Sequence, residues 1–411
     1  MRCIRASVGE ARSFRLDARV DYNPVIVTAD ANTMQIRRVE RFSDLQAIAS
    51  DWNPLLERSS ANGIFLTWEW IHLWWAVYGG SFSLQVLLAW RGDRLVGIAP
   101  LMLGKHPRYG RASPQILMMI GQGGDTLAER FAFICEPELE AVVTRAFVDY
   151  LLGPLKKKWH MLRFERMLDG SPSMRHLVKA LEQSGLQVET PIVNHAPYAK
   201  LPEHMDAFLA TRTSNFRSQY RSSWRKLEKL GTAKLRYAGV DIEVPEAIDT
   251  LASLHRERFA SRPSSSFATH NYVRFHSRLA QALLDRGWLW LVVLEVDGKP
   301  IAARYDFVYD NKIWCMQGGW DPRYSSVRPG MILTGAVISW GIERGMAEYD
   351  FLCGQEDYKS RWSDAERRMV NVATLNKHTL LGRSLPGVRS LKRRLKGSHR
   401  HGRPQARSQQ S

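Results

Sequence analysis

The stretch GGWDPRYSSVRPGMILTGAVISWGIERG, residues 318–345, guides the interpretation of this 411-residue chain. Two glycines end a strand-like run, a loop with two arginines follows, and Pro329-Gly330 opens a segment with helical periodicity. Backbone N–H groups at the start of a helix bind anions, and neighbouring arginines strengthen that binding. The stretch therefore predicts an anion site between a strand and a helix. A helix cap beside two surface arginines is the alternative interpretation.

The residues of this stretch have separate expected roles. The end of the strand lacks bulky side chains at two positions, so a ligand can approach its backbone closely. The loop supplies donors, and Gly330 lets a ligand phosphate approach the start of the helix. The stretch is neither a Walker P-loop nor a GxGxxG fingerprint. The predicted ligand-binding residues are Gln317, Gly318, Gly319, Arg323, Ser325, Arg328, Gly330 and Met331.

The composition is that of a soluble globular protein, with 45% hydrophobic and 24% charged residues. The four cysteines are scattered without a CxxC pair, which predicts free thiols in a reducing compartment and no metal site. The first basic residues are not followed by the apolar core of a secretory signal. The most apolar window, residues 64–90, is broken by two glycines and contains polar residues, so it is not expected to span a membrane. We expect a cytoplasmic protein.

The net charge of +17 is concentrated toward the C-terminus. Residues 382–411 contain nine Lys or Arg and no Asp or Glu. We expect residues 384–411 to be a disordered basic tail, either solubilising or in peripheral contact with an anionic inner membrane. Residues 1–33 are expected to be an unstructured extension, because Met34 resembles a natural domain start.

Two segments of the chain repeat the same pattern. Residues 81–103 contain two strand-like runs around a Gly-Asp turn, and residues 288–308 contain two around an Asp-Gly turn. Each follows an aromatic-rich helical region, and the second copy lies about 206 residues after the first. The repeat predicts a duplicated mixed α/β domain, at residues 34–200 and 201–383. The first copy lacks the arginine-flanked helix start.

A basic helix is predicted over residues 213–231, between the two copies. Phe216, Tyr220, Trp224 and Leu227 recur at helical spacing and are expected to face the core. Arg217, Arg221, Arg225 and Lys229 lie on another face, which is either solvated or a ledge for an acidic substrate or lipid headgroups. Because the aromatic residues point inward, nucleic acid is the less favoured partner.

The segment EYDFLCGQEDYKSRW, residues 348–362, carries the candidate catalytic groups. A tyrosine and carboxylates near the end of a strand can act as general acid and general base. A loop with ordinary ion pairs is the alternative. The predicted catalytic residues are Tyr358, Asp350 and Glu356, and the predicted substrate-binding residues are Lys359, Trp362, Asp306 and Arg221.

These segments together resemble the CelD/BcsL-like group of GNAT acyltransferases. The most specific part is the Asp-Phe-Leu-x-Gly-x-x-x-Tyr-Lys-x-x-Trp run of residues 350–362, and the likeness extends over residues 34–383. It implies a mixed α/β (α+β) fold of two tandem GNAT-like domains, as in Fem-type peptidyltransferases, with the acyl-CoA site in the C-terminal one. It also implies acyl transfer associated with bacterial exopolysaccharide or cellulose production.

The resemblance assigns residues 317–319 to pantetheine and residues 323–331 to the pyrophosphate of coenzyme A. Of the superfamily's Gln/Arg-x-x-Gly-x-Gly/Ala pattern only Gly330 is present, so a donor other than acetyl-CoA is an alternative. The expected function is direct N- or O-transfer of an acyl group, with acetyl-CoA the first choice of donor, to a sugar, polysaccharide precursor or small amine. Tyr358 would protonate the leaving thiolate, and Asp350 or Glu356 would accept the acceptor's proton.

Two other functions stay open. The first is a Fem-like aminoacyl transferase that uses charged tRNA, which would explain the basic helix and tail. The second is a non-catalytic partner of a polysaccharide synthase complex.

Overall fold

The computed structural model describes residues 25–27, 34–105, 113–259, 266–354, 356–379 and 382. The strands up to the middle of the chain are β1 (Val25–Val27), β2 (Met34–Val39), β3 (Ser83–Leu84), β4 (Val86–Arg91), β5 (Arg94–Ala99), β6 (Leu101–Lys105), β7 (Gln115–Met119), β8 (Ile134–Cys135), β9 (Met161–Leu168), β10 (Val188–Glu189) and β11 (Ile192–Lys200). The remaining strands are β12 (Ala233–Tyr237), β13 (Leu289–Val296), β14 (Lys299–Tyr309), β15 (Lys312–Trp320), β16 (Glu348–Asp350) and β17 (Ala365–Leu375).

The helices cover both faces of these strands. They are α1 (Phe42–Gln46), α2 (Ala49–Arg58), α3 (Trp68–Tyr78), α4 (Glu140–Leu152), α5 (Pro172–Gln183), α6 (Met205–Ala210), α7 (Ser214–Glu228), α8 (Val244–Arg258), α9 (His270–Asp285), α10 (Pro329–Glu343) and α11 (Asp357–Trp362). No helix in the described part of the chain is long and apolar enough to cross a membrane.

The strands form two sheets. The smaller has the order β1-β2-β4-β5-β8, and the larger has the order β12-β13-β14-β15-β16-β11-β17-β9-β7-β6-β3, with β10 beside β17. The fold is therefore the mixed α/β architecture that the sequence predicted. The large sheet runs through both halves of the chain, so the halves share one framework.

The duplicated pattern is confirmed by the strand pairing. The hairpins β4–β5 and β13–β14 turn at Gly92 and Gly298, whose positive φ angles of 61° and 77° suit glycine. In each half, a strand that follows the hairpin leads into a helix, α4 or α10, and then pairs in parallel with the strand after that helix. These parallel pairs are β7 with β9 and β15 with β16.

The two halves exchange their last strands. β11 closes the first half in sequence, but it lies between β16 and β17 of the second half. β17 closes the second half and pairs with β9 of the first. The division predicted between residues 200 and 201 stays a prediction, and the large sheet crosses it.

One part of the predicted N-terminal extension is ordered. The β-branched run Val25–Val27 pairs antiparallel with β2, in the register Val25↔Ile36 to Val27↔Met34. The expectation that residues 1–33 are unstructured is therefore wrong for this strand, because a paired edge strand satisfies its backbone groups. The rest of the extension and the basic tail lie outside the described residues.

The central strands of the second half are apolar on both faces. Tyr305 and Phe307 of β14 face one core, which includes α8, α9 and the first half of the chain. Ala302 and Val308 face a second core, beneath α7 and α10. This alternation places the side chains of β14 and β15 on two chemically separate faces.

The predicted basic helix is α7, and its apolar stripe is confirmed. Phe216 and Leu227 are buried, and Tyr220 and Trp224 pack against the same core. A Cβ at Gly335 of α10 would lie 2.7 Å from Cζ of Tyr220, so the glycine lets the tyrosine pack directly against α10. α7 is thereby fixed beside the start of α10.

Gly319 plays the corresponding role between β15 and α8. A Cβ at this position would lie 2.7 Å from the carbonyl carbon of Leu254 and closer still to the backbone nitrogen of His255. We expect Gly319→Ala to lower the free energy of unfolding by about 1–3 kcal/mol, because backbone atoms must move to admit the methyl group. Urea denaturation measures this change.

Gly80→Ala is the matched control, since a Cβ there has open space around it. Its effect should stay within about 0.5 kcal/mol. Equal stabilities of the two variants would contradict the assigned packing of α8 on β15.

Candidate functional site

β15 and β16 are paired over only three residues and then separate. Lys312, Ile313 and Trp314 pair in parallel with Glu348, Tyr349 and Asp350. β15 continues to Trp320, whereas β16 ends at Asp350, and no other strand of the described chain pairs with this part of β15 on that side. We call the gap beyond the Trp314–Asp350 pair the strand opening.

A bulge in β15 lies at the strand opening. Tyr305 pairs with Gln317 and Asp306 pairs with Cys315, so Met316 is an extra residue in β15. A bulge bends its strand, which contributes to the separation of β15 from β16.

The predicted anion loop joins this strand to α10. Residues Pro322–Val327 form a 3₁₀ helix, and Arg328 adopts a left-handed conformation with φ 57° immediately before Pro329. The side chains of Arg323, Ser325 and Arg328 are exposed. The loop therefore presents two guanidinium groups near the N-terminal end of a 15-residue helix.

The two arginines of the loop differ in their partners. Arg323 forms an ion pair with the buried Asp321, with 2.6 Å between Nη2 and Oδ2, and its hydrogen bonds lower the pKa of that carboxyl. Arg328 has no ion-pair partner among the described residues. Its charge is thus the one that the loop leaves uncompensated.

α7 lies alongside the loop. Lys226 Nζ donates to the backbone oxygen of Ser326 at 3.1 Å, and the Ser223 hydroxyl lies 4.0 Å from the sulfur of Met331. Arg221 is exposed on the same helix. The predicted basic helix therefore borders the predicted anion loop.

The three residues at the end of β15 have distinct environments. Gln317 Nε2 donates to the hydroxyl of Tyr272 on α9 at 3.1 Å, and Gly318 O accepts from Arg258 Nη1 of α8 at 3.3 Å. At Gly319 the close neighbour is α8. A binding role for these three residues stays a prediction, and Gly319 also has the packing role described above.

A buried polar cluster lies next to the strand opening, on the face of α10. Arg304 Nε donates to Asp306 Oδ1 at 2.9 Å, and Arg304 Nη2 donates to Cys315 Sγ at 2.6 Å and to the Tyr349 hydroxyl. The Tyr349 hydroxyl in turn donates to Asp306 Oδ2 at 3.2 Å. Asp306, predicted to bind substrate, thus has its carboxylate held by internal partners.

Tyr358 joins this cluster from α11. Burial and a hydrogen bond with Cys315 raise the pKa of Tyr358 well above its ordinary value, so the phenol is protonated at neutral pH. A protonated hydroxyl beside the opening can donate a proton, which is the role that the sequence predicted for it.

Asp350 is the last paired residue of β16, and it is fully buried. Its carboxylate forms ion pairs with Arg130 of the first half and with Arg367 Nη1, the latter at 3.2 Å. Its Oδ1 also accepts from the backbone N–H of Leu352 at 2.9 Å. Two cations and a backbone N–H occupy this carboxylate, so the predicted catalytic role has little support from its contacts.

The other predicted residues of this segment surround a short loop. Glu356 is exposed and forms an ion pair with Lys359 at 3.0 Å. Lys359 is buried, and its Nζ donates to the backbone oxygen of Cys353 at 2.9 Å. Trp362 is buried against Phe216 of α7, with 4.7 Å between ring centroids. Lys359 and Trp362 thus have contacts that organise the site, and their substrate contacts stay predictions.

The first half of the chain supplies two residues that the sequence analysis did not identify. The guanidinium of Arg130 lies 4.6 Å from the ring centroid of Trp314, and Glu129 Oε2 accepts from the backbone N–H of Cys353 at 2.7 Å. Both come from the segment that connects β7 with α4. The available signal is an adjacent Glu-Arg pair that precedes the apolar run FAFI. Arg304 was also missed, and its signal is clearer, since it lies two residues from the predicted Asp306 in an apolar strand and so shares its face.

Similarity to known proteins agrees with this geometry. Residues 214–360 match the family described as Acetyltransferase (GNAT) domain. The second half of the chain has a GNAT-like fold. The match covers the strands that separate, the anion loop and Tyr358. Among curated proteins, none is significantly similar to this chain in sequence.

Solved structures extend the similarity to both halves. The crystal structure of FemX superposes with a TM-score of 0.60 at 10% identity, over 80% of this chain and 96% of FemX. L-PGS from Bacillus licheniformis has a TM-score of 0.48 at 12% identity, over 86% of this chain and 97% of that one. A tandem GNAT protein from the clavulanic acid biosynthesis pathway has a TM-score of 0.43 at 11% identity, over 83% and 98%. At these identities the likeness to FemX shows the fold alone.

Within the described residues, no group of three or more His, Cys, Asp or Glu side chains is placed to hold a metal ion.

The contacts of Arg130 lead to a stability prediction. Arg130→Met leaves Glu129 and Asp350 buried beside each other, and we expect the free energy of unfolding to fall by about 3 kcal/mol at neutral pH. Loss of the cation raises the pKa of Glu129 further, because Arg130 lowers it in the native protein. The native state then favours the protonated carboxyl, so the loss should be greater at pH 8 than at pH 5. Urea denaturation at both pH values measures it.

Arg145→Met removes a half-exposed helical ion pair with Asp149 and serves as control. Its effect should be within about 0.5 kcal/mol at either pH. A similarly small effect of Arg130→Met would show that the contact between the two halves is not stabilising.

Proposed function

We propose that this protein is an acyl-CoA-dependent acyltransferase that transfers an acyl group directly to an amine or hydroxyl. The observation that carries the proposal is the strand opening itself, with the anion loop at the start of α10 and the protonated Tyr358 both beside it. The match of residues 214–360 to the GNAT acetyltransferase family supports the same donor class.

The pantetheine arm and the phosphates of an acyl-CoA are each complementary to groups at the strand opening. The amide-rich pantetheine arm suits the edge of β15 beyond Trp314 that faces away from β14, where no strand of the described chain pairs with it. The phosphates suit the N-terminal end of α10, with Arg328 and the adjacent basic face of α7. The proposed donor site therefore keeps the predicted set, which is Gln317, Gly318, Gly319, Arg323, Ser325, Arg328, Gly330 and Met331.

In the proposed reaction the acceptor attacks the thioester carbonyl carbon. The bond to the acceptor forms, the C–S bond breaks, and the thiolate leaves. Tyr358 donates its proton to that thiolate, and the raised pKa keeps this proton on the phenol until the thiolate develops.

The class of acceptor rests on the resemblance of residues 350–362 to the CelD/BcsL-like group. We propose a sugar or polysaccharide precursor, with acetyl as the first acyl group to test. Aminoacyl transfer from charged tRNA is the rival, because exposed cations of α7 border the anion loop. Calorimetric titrations with acetyl-CoA, longer acyl-CoAs and charged tRNA discriminate between them. Binding of none of these would favour the non-catalytic partner.

Arg328 provides a test of the donor site. Arg328→Ala should weaken binding of acetyl-CoA about tenfold, the size expected for one charge-assisted hydrogen bond to phosphate. Isothermal calorimetry at low salt measures the dissociation constant. Arg344→Ala, at the opposite end of α10, is the control and should leave it unchanged. Equal affinities of the two variants would place the phosphates elsewhere.

Tyr358 provides a test of the chemistry. Tyr358→Phe should lower turnover of acetyl-CoA by about a hundredfold or more, because the thiolate then leaves without a proton donor. Thiol release from acetyl-CoA, with glucosamine as a trial acceptor, measures turnover. Affinity for acetyl-CoA should be retained.

Tyr237→Phe removes another half-buried phenol, on β12, and should leave turnover unchanged. Undiminished turnover by folded Tyr358→Phe would remove Tyr358 from the mechanism.

A further inference from the structure

Glu129 is a fully buried carboxyl group of the first half of the chain that the mechanism above does not use. We propose that Glu129 is the general base of the acyl-transfer site, and that it accepts the proton of the attacking amine or hydroxyl. This inference rests on the proposed function, because it assigns a residue to the same reaction.

The position of Glu129 follows from its contacts with the two separating strands. Its neighbour Arg130 lies over Trp314 of β15 and pairs with Asp350 of β16, which are the last residues that pair with each other. Glu129 itself contacts Cys353, three residues beyond Asp350. The carboxyl group therefore lies past the point where the strands separate, at the strand opening.

Acid and base would act from opposite faces of the sheet. Trp314, beneath Arg130, packs against Phe65 of the first half with 5.9 Å between ring centroids. Cys315, which contacts Tyr358, belongs to the core on the face of α10. Glu129 thus approaches the opening from the first half, while Tyr358 approaches from the other side. A thioester held between them would have a proton acceptor on one face and a donor on the other.

One oxygen of Glu129 is available for a proton. Oε2 accepts from Cys353 N–H, whereas the buried Oε1 has no hydrogen-bond partner in the described structure. Arg130 Nε lies 3.7 Å from Oε1, an ion-pair distance that leaves room for a further donor. A buried oxygen without a donor is uncommon in native proteins, and at the strand opening it leaves an acceptor for an N–H or O–H of a ligand.

Burial raises the pKa of Glu129, which makes it a stronger base than an exposed glutamate. The guanidinium of Arg130 lowers this pKa, the carboxylate of Asp350 raises it, and hydrogen bonds from Cys353 lower it. The charged side chains that lie near these three neighbours are Glu348, Arg166, Lys359 and Arg367.

The backbone around Glu129 is strained in a way that marks functional sites. Seven described residues other than glycine have positive φ, of which three lie in hairpin turns and Arg328 precedes α10. The other three are Arg130, Arg166 and Leu352. Arg130 N–H donates to Arg166 O at 2.7 Å, and Leu352 N–H donates to Asp350 Oδ1. Strained residues therefore gather around this carboxyl group.

The duplication explains how the first half came to hold this residue. Glu129 lies between β7 and β8, within the connection from β7 to α4, and the anion loop lies in the corresponding connection from β15 to α10. The first half lacks the arginine-flanked helix start in this connection. It uses the same connection to place Glu129 and Arg130 at the other half's opening.

The proton balance of the step is complete. The acceptor's nitrogen or oxygen bonds to the carbonyl carbon, and its proton passes to Glu129 Oε1. The C–S bond breaks, and the sulfur takes the proton of Tyr358. The proton on Glu129 then returns through solvent to the phenolate, so one acyl group and one proton have exchanged places between donor and acceptor.

The test compares the full chain with Glu129→Gln and with Glu140→Gln. Glu140 is a matched control, since it is buried in the first half, has a raised pKa caused by burial, and has an unpartnered Oε1. Its partner is Ser60, so it does not contact the strand opening. Each protein is titrated with acetyl-CoA, and thiol release from acetyl-CoA is followed from pH 5.5 to 9.5 with water and with glucosamine as acceptors.

In the native protein, we expect the rate to rise with pH through one ionisation above the ordinary range of glutamate. Glu129→Gln should bind acetyl-CoA within about twofold of native affinity, turn over about a hundredfold more slowly, and lose that ionisation. Glu140→Gln should keep both the rate and the pH profile. Native rate and pH profile in Glu129→Gln would overturn the inference. So would a loss of acetyl-CoA binding that accounts for the lost rate, since the role would then be structural.

A second measurement needs no acceptor. Because the folded-state pKa of Glu129 is raised, its ionisation destabilises the native protein, so the native protein should lose stability relative to Glu129→Gln as pH rises. Urea midpoints measured across the same pH range show this. A constant difference between the two proteins would overturn the inference even if acetyl-CoA binds. Absence of acetyl-CoA binding by the native protein would instead refute the proposed function, and the catalytic role of Glu129 with it.

Discussion

The pairing of β15 with β16 stops after three residues, and the candidate site depends on that limit. Two causes act together. The bulge at Met316 bends β15, while β16 ends at Asp350 and the chain turns away through Leu352 in a left-handed conformation. Because α10 connects these two strands, its N-terminal end lies near the same opening. The anion loop, the phenol of Tyr358 and the carboxyl group of Glu129 therefore all lie at the strand opening.

The duplication accounts for the shape of the whole molecule. Each half contributes a hairpin and a parallel strand pair, and the exchange of β11 and β17 joins the halves into one sheet. Such a sheet leaves little freedom for the halves to move apart, because the exchanged strands would have to unpair. The contacts of Arg130 and Glu129 with the second half are therefore held at fixed positions by the framework.

The buried charges of the site are satisfied largely by one another. On the face of α10, Asp306 forms hydrogen bonds with Arg304 and Tyr349. At the end of β16, Asp350 forms ion pairs with Arg130 and Arg367. Burying such groups is costly unless each finds a partner. Two buried atoms at the opening, Glu129 Oε1 and Arg130 Nε, form an ion pair at 3.7 Å but have no hydrogen-bond partner in the described structure. Buried atoms without hydrogen-bond partners at the strand opening fit a site that binds a ligand.

Local patterns in the sequence determined the elements of this protein. The Asp-Gly and Gly-Asp turns fixed both hairpins, and the periodicity of residues 213–231 fixed α7, because turn chemistry and amphipathic spacing act over a few residues. The same patterns placed Tyr358 after the strand that carries Asp350.

Only the tertiary structure decided which residues meet. The exchange of β11 with β17, the strand at Val25–Val27 and the contact of Gly319 with α8 each depend on partners distant in sequence. So do the contacts of Glu129 and Arg130, which lie 224 and 220 residues from Cys353 and Asp350. No periodicity connects residues at such separations, since their meeting is set by sheet register and by the packing of one half on the other.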